Sequence, residues 1–332
     1  MTASTLRSLL AATALSLLAS AAQAATLTLS TPDPDTSEIT VAANKFAELV
    51  AAKTNGEVEV KVFPNGTLYG GDPSAAVKQV AGGSLDMLLL STSLYANFNP
   101  KFTAISIPYL FDDVDQLRSY LAGDLGKELM TDLDGIGIKA INMWTRPFRQ
   151  ITNSKRAITA PADLEGLKLR VPNNPLWVEF FGKMGAAPTP MAFAEVYNAL
   201  QLKVVDGQEN PVSVPVAAKF YEVQSHISMT NHIADGWVLA INPGKFDGLT
   251  DAQKTAIGEA AVEAEAWKVE NDAANANGAL DLLKENGMEV NELTAEQKAA
   301  FVAVSKELFP VFAGLVKDQS FFDRTIAAVG KN

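Results

Sequence analysis

The sequence contains no cysteine and only two histidines, His226 and His232. Without cysteine there is no disulfide framework, no thiolate zinc site and no cysteine nucleophile. Two histidines leave little for histidine-built metal sites or catalytic triads. Cations are also scarce: 27 Lys+Arg stand against 38 Asp+Glu, a formal charge of −11. Nucleic acid requires clustered Lys and Arg, so no nucleic-acid partner is expected. No stretch reaches the ~18 apolar residues of a membrane-spanning helix, which argues against stable insertion. G-x-S-x-G, P-loop, H-E-x-x-H and EF-hand patterns are missing too. Gly135-Ile-Gly137 lacks the third glycine of a dinucleotide fingerprint. Paired-carboxylate chemistry has no motif and stays open, but nothing marks a pair out. The expectation is a protein that is not an enzyme and holds neither metal nor cofactor.

What is present is a chain of 332 residues, 48% hydrophobic and 8% aromatic, enough for a sizeable core. That length corresponds to roughly two domains. Arg7 precedes an apolar run from Leu9 to Leu18, and Ala22-Gln23-Ala24 supplies an A-x-A cleavage pattern. The expectation is export to the periplasm, with residues 1–24 a signal peptide cleaved after Ala24. Those residues carry one base and no acid, so their removal takes the charge from −11 to −12.

Residues 25–30 and 58–62 alternate apolar and polar side chains, as strands do. Ala43, Phe46 and Val50 fall between them at helical spacing. Asp72-Pro73 opens another helix with proline at its first position, and residues 85–90 read as a short buried strand. This β-α-β-α-β order predicts an α/β chain with a parallel sheet covered by helices on both faces. Further strands are predicted near 138–143, 150–152, 167–171, 204–208 and 237–241. Residues 250–285 contain no proline and ten alanines. Thr250 with Asp251 caps their start and Gly287 follows their end. A single helix there spans roughly 54 Å, more than one small domain. The alternative is two helices broken near 275–278.

Leu167-Lys-Leu-Arg-Val-Pro-Asn-Asn-Pro is the most informative stretch. Leu167, Leu169 and Val171 point one way, Lys168 and Arg170 the other. Pro172 ends the strand, and a helix follows Asn174-Pro175. Arg170 therefore stands at the carboxyl end of a strand beside a helix N-terminus, where α/β sheets bind ligands and anions are favoured. Arginine suits a carboxylate held bidentately. An arginine paired with an internal acid satisfies the same pattern, and physics alone favours that reading. Arg146 and Arg149 open another strand; one is read as meeting the ligand, the other as solvated surface. Asn210 ends a third strand and offers a donor and an acceptor. Phe193 and Trp237 serve as pocket walls or simply as core. His232 is read as making a structural hydrogen bond.

Three blocks carry a resemblance: Phe148-Arg-Gln-Ile-Thr-Asn-Ser-Lys-Arg, Leu164-Glu-Gly-Leu-Lys-Leu-Arg-Val-Pro-Asn, and Pro188-Thr-Pro-Met-Ala-Phe-Ala-Glu-Val-Tyr-Asn-Ala-Leu-Gln, with Val205-Asp-Gly-Gln-Glu-Asn-Pro after the last. Together they resemble the solute-binding component of tripartite ATP-independent periplasmic (TRAP) transporters, over essentially the whole chain beyond residue 24. The resemblance implies a two-lobed, periplasmic-binding-protein-like α/β fold with a central cleft and a long helix braced across both lobes. The expected division is 25–146 plus 236–275 for lobe I and 147–235 plus 276–332 for lobe II. It implies that Arg170 grips a ligand carboxylate, helped by Arg149, Asn210, Phe193 and Asn173 of the same motifs. From lobe I it places Asp33, Asp72 and Ser91 at or near the pocket, and Trp237 where it shortens the pocket and favours a smaller acid. The implied partners are a small organic acid and the small and large membrane permease subunits, with the receptor itself a monomer. A hydroxylated sugar acid is preferred over a C4-dicarboxylate or sulfonate, because short polar groups outnumber second cations near the inferred pocket. The rival classes are a periplasmic enzyme acting on such an acid and a binding protein that feeds a signalling receptor.

Overall fold

The computed structural model describes residues 25–331; the signal-peptide reading lies outside them. Two sheets organise the chain. The first has the order β2-β1-β3-β10-β4, built from β1 (Ala25–Ser30), β2 (Val58–Phe63), β3 (Met87–Ser91), β4 (Lys139–Thr145) and β10 (Gly236–Ile241). The second has the order β11-β9-β5-β8-β6-β7, from β5 (Gln150–Asn153), β6 (Lys168–Val171), β7 (Ala187–Pro190), β8 (Gly207–Asn210), β9 (His226–Met229) and β11 (Glu289–Glu292).

Burial follows position in the sheet. Edge strand β2 buries Val58 and Val60 and exposes Glu59 and Lys61, while every residue of central β3 and β10 is buried. The intervening helix, Glu38–Lys53, is capped by Ser37 Oγ and buries Ile39, Ala43, Phe46 and Val50 along one stripe. The parallel prediction holds for β1, β2 and β3. The completed sheets are mixed, because β10 runs antiparallel to both β3 and β4, and β5 antiparallel to both β8 and β9. The returning chain, not the local βαβ pattern, supplies those strands.

Other departures are local. The strand predicted at 204–208 starts later, at Gly207, because Lys203 at φ 58° and the exposed Val204 belong to a turn. β7, β9 and β11 are short and carry little alternation, and were not predicted. The helix Asp251–Glu285 is continuous over 35 residues, with no break at 275–278. Thr250 and Gln253 form a reciprocal capping box at its start. Its first half packs on the Glu38–Lys53 helix and β4; near its end Leu283 joins Ile227 and Met288 under the second sheet. It thus spans both lobes. The last helices, Ala295–Glu307, Phe309–Val316 and Gln319–Ala328, pack against the Pro100–Ser106 turn and the Pro175–Lys183 helix.

Candidate functional site

Loops from both sheets enclose a cavity of about 600 Å³. All nine residues singled out in the sequence line it: Asp33, Asp72, Ser91, Arg149, Arg170, Asn173, Phe193, Asn210 and Trp237. They do not all present free groups to it.

Strand alternation in β6 sends Leu169 and Val171 into the core and Arg170 to the opposite face. Arg170 Nε and Nη2 donate to the Met191 carbonyl oxygen at 3.1 and 2.7 Å, and Phe193 lies 6.0 Å from its guanidinium. Among the described residues, buried ion pairs form at Arg149 and Arg146 and not at Arg170. Burial, with Arg149 and Arg146 close by, brings the Arg170 pKa down to about 9 although Glu209 opposes this. The group stays charged at neutral pH but lacks a buried counter-ion of its own.

Arg149, directly before β5, is held differently. Its Nε and Nη2 donate to both Glu209 carboxylate oxygens at 2.5 and 2.7 Å, and its ring-like plane stacks 4.6 Å from Trp177. Burial opposes its charge, but the Glu209 ion pair holds its pKa above the usual arginine value. Only Nη1 remains unpaired, 3.9 Å from Asp235 Oδ2. Burial pushes the Glu209 carboxyl up, and Arg149 more than offsets this, bringing it to about 2.

Arg146 overturns the expectation that one of this pair is solvated. It is 4% exposed, stacks 4.4 Å from the Trp237 ring, and donates from Nη2 to Asn210 Oδ1 at 2.9 Å. Its Nε is buried and unpaired. The reason is tertiary: β10 and the residue before it bring Trp237 and Asp235 against it, and neither is near in sequence. Asn210 also donates to Gln208 Oε1 at 2.6 Å, so its amide positions Arg146 and leaves one donor and one acceptor site over.

On the first-sheet side, Ser91 is engaged: its hydroxyl donates to Asp235 Oδ2 at 2.7 Å. Asp72 is exposed and caps the Pro73–Gly82 helix through Ser74 N at 2.8 Å. Asn173 is likewise exposed at the rim, its carbonyl accepting from Asn97. Asp33, in the loop after β1, is 3% exposed with Oδ2 unpaired. Burial raises its pKa to about 6, against the pull of Arg146. Sequence reasoning missed Tyr69, which lines the cavity with its hydroxyl unpaired, and gave no role to Asp235. Nothing in the local sequence marks either one. His232 makes the structural bonds expected, to Thr230 Oγ1 at 2.7 Å and Glu209 Oε2 at 3.2 Å.

Three guanidinium groups thus meet two fully buried carboxylates, Glu209 and Asp235, with Asp33 opposite. Arg146 Nε and Arg149 Nη1 are buried donors whose desolvation is uncompensated within the protein. Such an arrangement suits an anion. No group of metal-ligating side chains occurs among the described residues.

Comparison with known proteins places the chain in a family. The profile described as bacterial extracellular solute-binding protein, family 7, matches residues 29–314. The 2,3-diketo-L-gulonate-binding periplasmic protein YiaO of Escherichia coli is 37% identical over 250 residues, covering 75% of this chain and 76% of that one. The C4-dicarboxylate-binding periplasmic protein DctP of Rhodobacter capsulatus is 35% identical over 278 residues, covering 82% and 81%. The crystal structure of the sugar acid binding protein DctPAm from Advenella mimigardefordensis, in complex with galactonate, superposes with a TM-score of 0.89 at 30% identity, covering 93% of this chain and 99% of that one. The matched length, the sequence identity and the shared two-lobed architecture together show that this chain belongs to family 7 of the bacterial extracellular solute-binding proteins, the solute receptors of TRAP transporters.

Proposed function

We propose that the protein is the periplasmic receptor of a TRAP transporter for a small hydroxylated organic acid, a uronate or aldonate above a C4-dicarboxylate or sulfonate. The observation that carries this is the convergence of Arg146, Arg149 and Arg170 on one cavity, with Arg146 Nε and Arg149 Nη1 buried and unpaired. Arg170 neutralises the ligand carboxylate, and Arg149 Nη1 and Arg146 Nε complete the grip. Asn210, Phe193, Asn173 and Trp237 shape the seat; Asp33, Ser91, Asp72 and Tyr69 read the ligand's other end. The relatives that bind 2,3-diketo-L-gulonate and galactonate favour a sugar acid, and the C4-dicarboxylate relative names the competitor. The lobes divide at 25–146 plus 236–275 and 147–235 plus 276–332, consistent with which strands share a sheet. Residues 1–24 direct export and are cleaved after Ala24. The closed receptor docks on the membrane permease subunits and releases its cargo unchanged.

Arg170→Ala is expected to leave the ligand carboxylate buried and under-paired, at roughly 2–5 kcal/mol. Calorimetry on the best ligand from a thermal-shift screen of uronates, aldonates, dicarboxylates and sulfonates then reads a loss of about 30-fold or more. Wild-type affinity in the variant would remove Arg170 from the site. Mass spectrometry of the bound acid after incubation separates receptor from enzyme: the acid stays unaltered.

A further inference from the structure

Five cavity-lining side chains carry a buried polar atom without a partner: Arg146 Nε, Arg149 Nη1, Trp237 Nε1, the Tyr69 hydroxyl and Asp33 Oδ2. Four of these atoms can donate. Asp33 Oδ2 is the exception, and it belongs to the one carboxylate lining the cavity that is buried, since Asp72 and Glu195 are exposed. Its backbone is fixed: the Asp33 carbonyl accepts from Asn65 N at 2.9 Å and from Thr40 Oγ1 at 3.4 Å. The backbone that carries the carboxyl is thus held in place, and Arg146, Arg149 and Arg170 all act on its charge.

We propose that Asp33 sets the charge selectivity of the receptor, accepting a hydrogen bond from a hydroxyl of a monocarboxylate ligand and repelling the second carboxylate of a dicarboxylate. The inference rests on the organic-acid reading above and narrows it. An ionised carboxylate only accepts hydrogen bonds. A sugar acid brings one carboxylate for the arginines and hydroxyl donors for Asp33. A dicarboxylate brings acceptors at both ends, leaving Asp33 Oδ2 unpaired and a like charge beside it. The formal charges point the same way. Arg146, Arg149 and Arg170 against Glu209, Asp235 and an ionised Asp33 sum to zero, so a monocarboxylate takes the site to −1 and a dicarboxylate to −2. Burial already raises the Asp33 pKa to about 6, so the site has little spare capacity for further negative charge there.

The test is calorimetry at pH 7.5 on the mature chain, with galactonate, glucuronate, succinate and monomethyl succinate as probes. Wild type is expected to bind a sugar acid at least about 10-fold more tightly than succinate, and monomethyl succinate more tightly than succinate. Asp33→Asn keeps the shape and removes the charge; it is expected to shrink the sugar-acid preference by about 10-fold or more. Asp33→Ser gives the same readout if the amide disturbs folding, and the ester comparison needs no variant at all. If wild type binds a sugar acid and neither variant nor ester changes the preference, Asp33 has no selective role and the receptor reading stands. If wild type binds succinate and no sugar acid, the sugar-acid reading itself falls.

Discussion

Arg149 and Arg170 read alike in the sequence, each at a strand end beside polar neighbours, yet they occupy opposite situations. Arg149 is neutralised by Glu209 on two nitrogens, whereas Arg170 meets only a carbonyl oxygen. The general preference for an internally paired arginine therefore applies to Arg149 and fails for Arg170. Asp33 is the complementary case, a carboxylate kept in a cavity at a cost to the fold. Its neighbours are Arg146, Arg149 and Arg170, with Glu38 and Tyr69 also facing it. Its folded pKa of about 6 stands above the unfolded 3.8. The folded chain therefore holds the proton more tightly. Stability falls as pH rises from about 4 to about 6 and stays lower above that. At roughly 1.4 kcal/mol per pKa unit, the ligand-free protein forgoes on the order of 1–3 kcal/mol at pH 7.5. Asp33→Asn should recover that amount in urea unfolding at pH 7.5 and show no gain near pH 4. Parallel stability curves for both proteins across this range would contradict a desolvated Asp33.

At the scale of the element, the long helix shows how far a composition argument reaches. Absence of proline, ten alanines and a Thr250 cap were legible and correct. Its continuity past Asn275–Gly278 was the preferred reading and holds, although asparagine and glycine there are weak helix formers. The capping box, and the contacts that its start makes with β4 and its end with Ile227, hold the two ends. Gly278 lies mid-helix with open space where a Cβ would stand. Gly278→Ala is therefore expected to raise stability by about 0.5–1 kcal/mol without altering ligand affinity. A loss of stability on thermal or urea unfolding would mean that the glycine is used for bending. β10 teaches the converse lesson. Its apolar run was recognised as a strand, but its direction was not, since antiparallel insertion between β3 and β4 depends on where the chain returns from.

In the whole molecule, the lobes touch around the cavity mouth. Asn97 Nδ2 donates to the Asn173 carbonyl and Asn174 Nδ2 to the Ser93 carbonyl, each at 2.8 Å, and Ser213 Oγ donates to Glu38 Oε2 at 2.5 Å. Gly71 is tighter still: a Cβ there would lie 2.9 Å from Ala194 Cβ. Ala194 is exposed, so enlarging it disturbs no core. Ala194→Leu is expected to prop the mouth open, weakening ligand binding by about 10-fold, the factor that corresponds to ~1.4 kcal/mol. Unfolding stability should change by no more than about 0.5 kcal/mol. Small-angle scattering with saturating ligand should show less compaction than in wild type; equal compaction and affinity would mean the mouth has room to spare. The sequence by itself determined the family, through its motif blocks, and the strands and helix starts that carry Arg149, Arg170 and Asn173, because strand alternation and cap chemistry are local. Only the tertiary structure decided which of those positions keep a free group. Arg146 is buried by Trp237, Ser91 is taken by Asp235, and Asp33 is left as the buried carboxylate of the cavity lining with an unpaired oxygen. Hydrogen-bond satisfaction is a property of residues far apart in the chain, and it exists only once the two sheets face each other.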